Sequence, residues 1–213
     1  MGCLKAMVVR AGCAVMLVVA LIAAFIYREQ LWEYARQWRG NAGETYVAPA
    51  ADGGSKARAA IGRLERRGGP AYEDLTAADI ASLVETALAQ GGRRAFDSVR
   101  VALLEGEIRV SGSLDLSSVP RHLLGPLSSA LNDRERAAIG GPLSVDSARH
   151  LVLTVSYLKL RDFPFPKGTI PRILSAARVP GVDGARVPLP GTTTIGDVRV
   201  TPAHVRVYRS TQQ

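Results

Sequence analysis

The sequence predicts an α+β domain, a curved antiparallel sheet packed on one or two helices, behind a single N-terminal transmembrane helix. Three observations carry this reading. Residues 11–27, "AGCAVMLVVALIAAFIY", form an uncharged apolar run. Residues 75–92, "LTAADIASLVETALAQGG", place apolar side chains at helical spacing between a capping residue and two glycines. From residue 97 onward apolar and polar residues largely alternate, as in strands that bury one face.

The apolar run, with "MVV" before Arg10, reaches the ~20 residues that a spanning helix needs. Arg10 lies near one end, where its side chain can snorkel to the headgroups. A cleavable signal peptide is the rival reading, but "FIYREQLW" follows the core and the nearest A-x-A, Ala48-Pro49-Ala50, lies far downstream. The expectation is an uncleaved single-pass anchor. Residues 1–10 then form a cytoplasmic tail, and the domain lies on the periplasmic or extracellular side of a bacterial inner membrane. In "YREQLWEYARQW", residues 27–38, Tyr27, Trp32, Tyr34 and Trp38 are expected at the membrane interface.

Residues 40–55, "GNAGETYVAPAADGGS", have no apolar periodicity and read as a flexible tether. Residues 56–68, "KARAAIGRLERRG", set five basic residues against Glu65; they read either as a short basic helix near anionic headgroups or as a solvated extension of the tether. Residues 28–71 are thus assigned to a juxtamembrane helix, tether and basic segment, and residues 72–210 to the folded domain.

Within the domain, Thr76 reads as an N-cap with Asp79 in the capping-box position, and Ile80, Leu83, Val84, Ala87 and Leu88 as the buried stripe. Val99, Val101 and Leu103, then Ile108 and Val110, read as a hairpin turning at Glu105-Gly106-Glu107, with Arg100, Arg109 and Ser111 on its polar face. Residues 117–141 are ambiguous and read as a helical or loop excursion, helical near 127–138. Residues 150–166, "HLVLTVSYLKLRDFPFP", read as a long strand whose apolar phase changes midway, which predicts a bulge or burial on both faces. Thr169 reads as the cap of a short helix, "IPRILSAAR", and "VPGVDGARVPLPG" as turns. Val198, Val200, Val205 and Val207 read as the inner face of a last hairpin, with Arg199, His204, Arg206 and Tyr208 outside.

The chain has 213 residues and 47% apolar content, enough for one core, with a formal net charge of +8 and a pI near 10.0. Such a balance points to nucleic acid or an anionic membrane surface. The apolar run favours the membrane, and no nucleic-acid recognition motif is present. Arginine far outnumbers the four lysines, in keeping with a GC-rich bacterial genome. Cys3 and Cys13 both precede the domain, so neither a disulfide framework nor a cysteine-based zinc site is available to it. His122, His150 and His204 fall in no metal-ligating spacing, and there is no G-x-S-x-G, phosphate-binding loop or dinucleotide fingerprint. Asp146, Ser147 and His150 are neighbours in sequence, which is not triad geometry. No catalysis, metal or cofactor is expected. Arg199, His204 and Arg206 read either as a solvated face or as a site for an anionic lipid headgroup.

The apolar run, the "LTAADIASLVETAL" helix, the "VRVALLEGEIRVSGSL" hairpin and the strand entering "FPFPKGTIPRIL" together resemble the YpmS-like bacterial membrane-anchored envelope proteins. More distantly they resemble LmeA-type and tubular lipid-binding domains. The resemblance covers about residues 76–208. It implies an envelope domain that binds lipid or another apolar ligand and implies no catalytic residue. The chain departs from the pattern at residues 117–141 and at "VPGVDGARVPLPG". In the FPFP corner, Pro164 and Pro166 remove backbone donors and hold the chain extended, so Phe163 and Phe165 point the same way. With Ile170, Ile173 and Leu174 they form either a corner of the core or the mouth of an acyl-chain groove. The other function class is an adaptor that binds a second envelope protein through a sheet edge or residues 117–141.

Overall fold

Two backbone strands that meet at Gly141 organise the domain. The computed structural model describes residues 44–90, 96–117, 132–177, 181–189 and 194–210. Residues 11–27, with Tyr27, Trp32, Tyr34 and Trp38, lie outside the described residues, as does His122; no helix among the described residues is long and apolar enough to cross a membrane. The described residues belong to one compact unit, Glu44–Gln213.

The fold is α+β, and every strand pairing is antiparallel. The strands form three sheets instead of one curved sheet. The first has five strands in the order β2 (Phe96–Leu104), β3 (Glu107–Asp115), β4 (Arg134–Gly141), β7 (Tyr157–Leu160) and β8 (Phe163–Pro164). The second orders β1 (Tyr72–Leu75), β11 (Val205–Arg209) and β10 (Ile195–Val200). The third orders β5 (Leu143–Val145), β6 (Leu151–Thr154) and β9 (Arg186–Leu189).

β4 and β5 are one strand bent at Gly141-Pro142, and β6 and β7 are one strand bent at Val155-Ser156. Each half pairs in a different sheet, so a single kinked hairpin joins the first sheet to the third. This is the change of apolar phase expected within residues 150–166. A Cβ on Gly141 would sit 1.9 Å from the Thr154 carbonyl oxygen, so only glycine lets the two backbones meet at the bend.

Residues 134–141 are strand, within the segment 117–141 that the sequence reads as a helical or loop excursion, helical near 127–138. Arg134, Glu135, Arg136 and Ala137 alternate between exposed and buried, and β3 and β7 bond β4 on both sides. Two neighbouring strands override the helix preference of Ala, Arg and Glu. The buried Glu135 carboxylate accepts the Asn132 backbone N–H at 2.9 Å and its side-chain amide at 2.8 Å. β1 and β9 are two short strands that the sequence reading did not assign.

Helix α2 (Ala77–Gln90) starts at the expected capping box. Thr76 donates to Asp79 Oδ2 from its backbone N–H at 2.9 Å and from its hydroxyl at 2.7 Å. α3 (Ile170–Ala176) forms as expected, but Thr169 does not cap it; its hydroxyl turns back to the Pro166 carbonyl at 2.7 Å.

The expected domain start at residue 72 is set too late. The basic segment is helix α1 (Ser55–Glu65), whose Ala57, Ala60 and Leu64 are buried against Leu75, Val198, Val200, Val205 and Val207. Asp52 starts it, accepting the backbone N–H groups of Gly54 and Lys56, each at 3.1 Å. A second cluster brings Ala81, Val99, Val101, Ile108, Leu153, Val155, Ile170 and Leu174 together.

Removing residues 44–71 therefore uncovers the inner face of the second sheet. Burial of Leu64 with the two alanines contributes on the order of 3 kcal/mol, a large share of a domain's ~5–15. Residues 44–213 are expected to unfold cooperatively on heating, followed by circular dichroism. Residues 72–213 are expected to aggregate or melt without a transition, and an equal melting temperature for the two fragments contradicts the assignment of α1 to the core.

Candidate functional site

Three places bring functional side chains together. The first was not legible in the sequence. Arg109 on β3, Gly140 on β4 and Tyr157 on β7 are opposite one another in register across the first sheet. Gly140 has no side chain, so Arg109 crosses it and stacks its guanidinium 4.1 Å from the centre of the Tyr157 ring. A Cβ at Gly140 would lie 2.6 Å from Arg109 Cγ.

The segment 44–50, expected as tether, lies on this row as a strap. Val47 exchanges two backbone hydrogen bonds with Val101, at 2.8 and 2.9 Å. The Ala50 N–H donates to the Ser82 hydroxyl of α2 at 2.8 Å. Glu44, its side chain 3% exposed, pairs with Arg109, whose side chain is 14% exposed. Tyr46 donates its hydroxyl to Glu44 Oε2 at 2.8 Å. Burial first, then that hydrogen bond and the Glu44 charge, push the Tyr46 phenol well above its ordinary range. Burial and then Glu44 raise Tyr157 as well. Arg109 Nε is buried without a hydrogen-bond partner. The arrangement locks residues 44–50 onto the sheet.

The second place is the outer face of the second sheet, which carries the expected headgroup trio. Register sets Asp74 opposite Arg206, and Arg206 opposite Arg199. Arg206 grips Asp74 with two hydrogen bonds, 2.7 and 2.8 Å, and its guanidinium lies 4.4 Å from the Tyr72 ring centre. His204 Nε2 lies 3.6 Å from the same Asp74 carboxylate. Arg199 lies 3.6 Å from Asp197 and stacks over Tyr208 at 5.4 Å. Structure thus gathers Arg199, His204 and Arg206, but two aspartates oppose the two arginines. The Arg206 hydrogen bonds hold the Asp74 carboxyl below the ordinary carboxylate range.

The third place is the FPFP corner. Its five residues do not form one rim. Ile170 is 0% exposed and Leu174 is also buried, both in the core beside Val99 and Val101. Ile173 is half-buried on the same helix. Phe163 and Phe165 do meet, edge to face, with ring centres 5.7 Å apart. Phe165 packs half-buried beside Leu116, Ala137 and Leu160, while Phe163 is 44% exposed on edge strand β8. Only Tyr72, at 48%, is a more exposed large apolar residue among the described ones.

Among the described residues no group of His, Cys, Asp and Glu side chains is placed to hold a metal ion. His150 Nδ1 lies 3.6 Å from Asp146 at a turn, four residues apart on the chain. No protein-family model, curated protein or solved structure matches the chain.

Two outcomes follow from these geometries. Breaking a buried ion pair by neutralising one partner typically costs about 3 kcal/mol or more, because the other charge stays buried. Glu44→Gln is expected to lower the urea midpoint, and Glu44→Gln with Arg109→Met to recover part of that loss. A double variant less stable than the single one contradicts the coupling.

The pH dependence has a definite sign. A carboxyl held low in the folded state contributes stability above its unfolded value near ~3.9, and that contribution is lost as pH falls through the folded value. Asp74→Asn is therefore expected to flatten the fall of the urea midpoint with acidification below about pH 4. A slope identical to wild type shows that the Arg206 pair does not carry it.

Proposed function

We propose that the chain is a single-pass membrane protein of the bacterial envelope whose domain binds a lipid or another apolar ligand without catalysis. The observation that carries this reading is the exposed Phe163, edge-on to Phe165 on a two-residue edge strand beside the Leu116, Ala137 and Leu160 cluster. Pro164 lies on that strand and Pro166 just beyond it. Both lack a backbone donor, so the corner is a poor template for strand addition but leaves aromatic surface open. The uncharged run at residues 11–27 supports membrane anchorage from the sequence side. The resemblance to YpmS-like and LmeA-type envelope proteins belongs to the same proposal.

A specific observation favours the adaptor reading as the second. Tyr72, Arg206, Tyr208 and Arg199 form a partly exposed layer of stacked tyrosine and arginine whose charge Asp74 and Asp197 balance, the residue types enriched where proteins bind one another.

The test separates the two. Phe163→Ser removes a half-exposed ring and is expected to cost on the order of 1 kcal/mol while reducing uptake of a fluorescent phospholipid. Arg199→Ala is expected to leave uptake unchanged. Native uptake by a folded Phe163→Ser variant removes the corner from the ligand model. Absence of uptake by the wild-type domain favours the adaptor. Protease added to intact spheroplasts is expected to remove the domain, and full protection overturns the topology.

A further inference from the structure

We propose that the solvent face of α1 is a docking surface for an anionic lipid bilayer. The inference rests on the membrane-anchored reading above for its occupant, but its chemistry comes from the helix itself.

α1 is two-sided. Ala57, Ala60 and Leu64 enter the core, which directs the opposite side to solvent. Lys56 and Arg58 are exposed on the helix, and Arg66 and Arg67 are exposed where it ends. Arg63 is taken by Glu73 through two hydrogen bonds, 2.6 and 2.9 Å. Among the described residues no carboxylate pairs with Arg58, Arg66 or Arg67, while Lys56 lies in the field of Asp52. Arg58 donates to the Gly53 carbonyl at 3.1 Å, which fixes the side chain and leaves its charge uncompensated. Glu65 is the one acid within residues 55–68. Ala59 and Gly62, between Arg58 and Arg66, keep this side of the helix low, so the longer cations reach past it to a flat surface.

The contrast with the second sheet decides between the two cationic surfaces. There Asp74 and Asp197 oppose Arg206 and Arg199. A surface of lipid phosphates gains little from cations that are already neutralised and more from those of α1.

Chain length names the occupant. The strap is bonded to the domain at Val47 and Ala50, and Glu44 is paired with Arg109, so residues 28–43, not the whole of 28–71, separate the apolar run from the first bonded residue in the sequence. Sixteen residues can span at most about 55 Å whatever their conformation. A cationic face on a domain held that near a bilayer meets headgroups before any other anionic partner. An anionic surface attracts each nearby Lys or Arg by about five-fold in partitioning.

The test uses residues 44–213, the unit that holds every described element and all three apolar clusters, so it does not depend on the apolar run. The fragment is sedimented with phosphatidylcholine vesicles, with and without phosphatidylglycerol. It is expected to bind only the anionic vesicles and to be released by molar salt. The variant R58E/R66E/R67E is expected to lose binding by about a hundred-fold while keeping its melting temperature. If that variant unfolds, R66Q/R67Q, beyond the buried turns, is expected to lose about twenty-five-fold. R199E, on the sheet whose arginines are already paired, is expected to bind like wild type. Equal binding to neutral vesicles, unchanged binding by a folded α1 variant, or loss of binding on R199E instead overturns the proposal. A failed spheroplast topology test alters the anchor reading and leaves this result unaffected.

Discussion

The close approach of two backbones at Gly141 is the constraint on which the arrangement depends. A strand that pairs with β3 and β7 up to Gly141 pairs with β6 immediately beyond Pro142. The bend is possible because nothing projects from Gly141 toward the Thr154 carbonyl. Through it β5 comes to lie against β10, which sets the third sheet beside the second. The same bend lets Val155 accept a place in the core while its N–H bonds the Ala185 carbonyl at 2.8 Å, leading into β9. One residue without a Cβ thus determines where three sheets stand.

The strap shows how a polar row can be part of the fold. Arg109 is largely shielded from water: Tyr157 lies under its guanidinium and Glu44 closes the end. Such a buried pair is weak evidence for net stability, because desolvation offsets most of the attraction. Its effect is positional: Glu107 on the same strand lies 3.7 Å from one end of the guanidinium, and the entering chain supplies the carboxylate at the other. That carboxylate is Glu44, and Val47 and Ala50 then fall beside Val101 and Ser82.

Much of the domain was legible because its signals are local. Thr76 and Asp79 are three residues apart, and the alternation of Val198 and Val200 or Val205 and Val207 needs no knowledge of the partner strand. What was not legible is set by distant neighbours. "RERAAIGG" has the composition of a helix, and only pairing with β3 and β7 makes it a strand. "GETYVAPA" has the composition of a linker, and only Arg109, far along the chain, makes it part of the fold. The FPFP corner was half legible. Extended geometry brings Phe163 and Phe165 together, but periodicity alone does not tell that Ile170 and Leu174 turn inward beneath β2. Nor does the spacing of Arg199, His204 and Arg206 reveal Asp74, which comes from the opposite end of the domain.

That last pairing has a consequence for how the domain is made. Among the described strands β1 has a single neighbour, β11, so Leu75 meets Val205 and Asp74 meets Arg206 only when residues 205–209 are present. Until then α1 and β1 hold their apolar faces without the wall they pack on. Contacts between residues so far apart are slow to form, because a long loop must close before they contribute. During synthesis α1 and β1 emerge before β11 and are completed only after it. The final hairpin acts as the closing strand of the domain, and a chain truncated before Val205 is a substrate for chaperones and proteases.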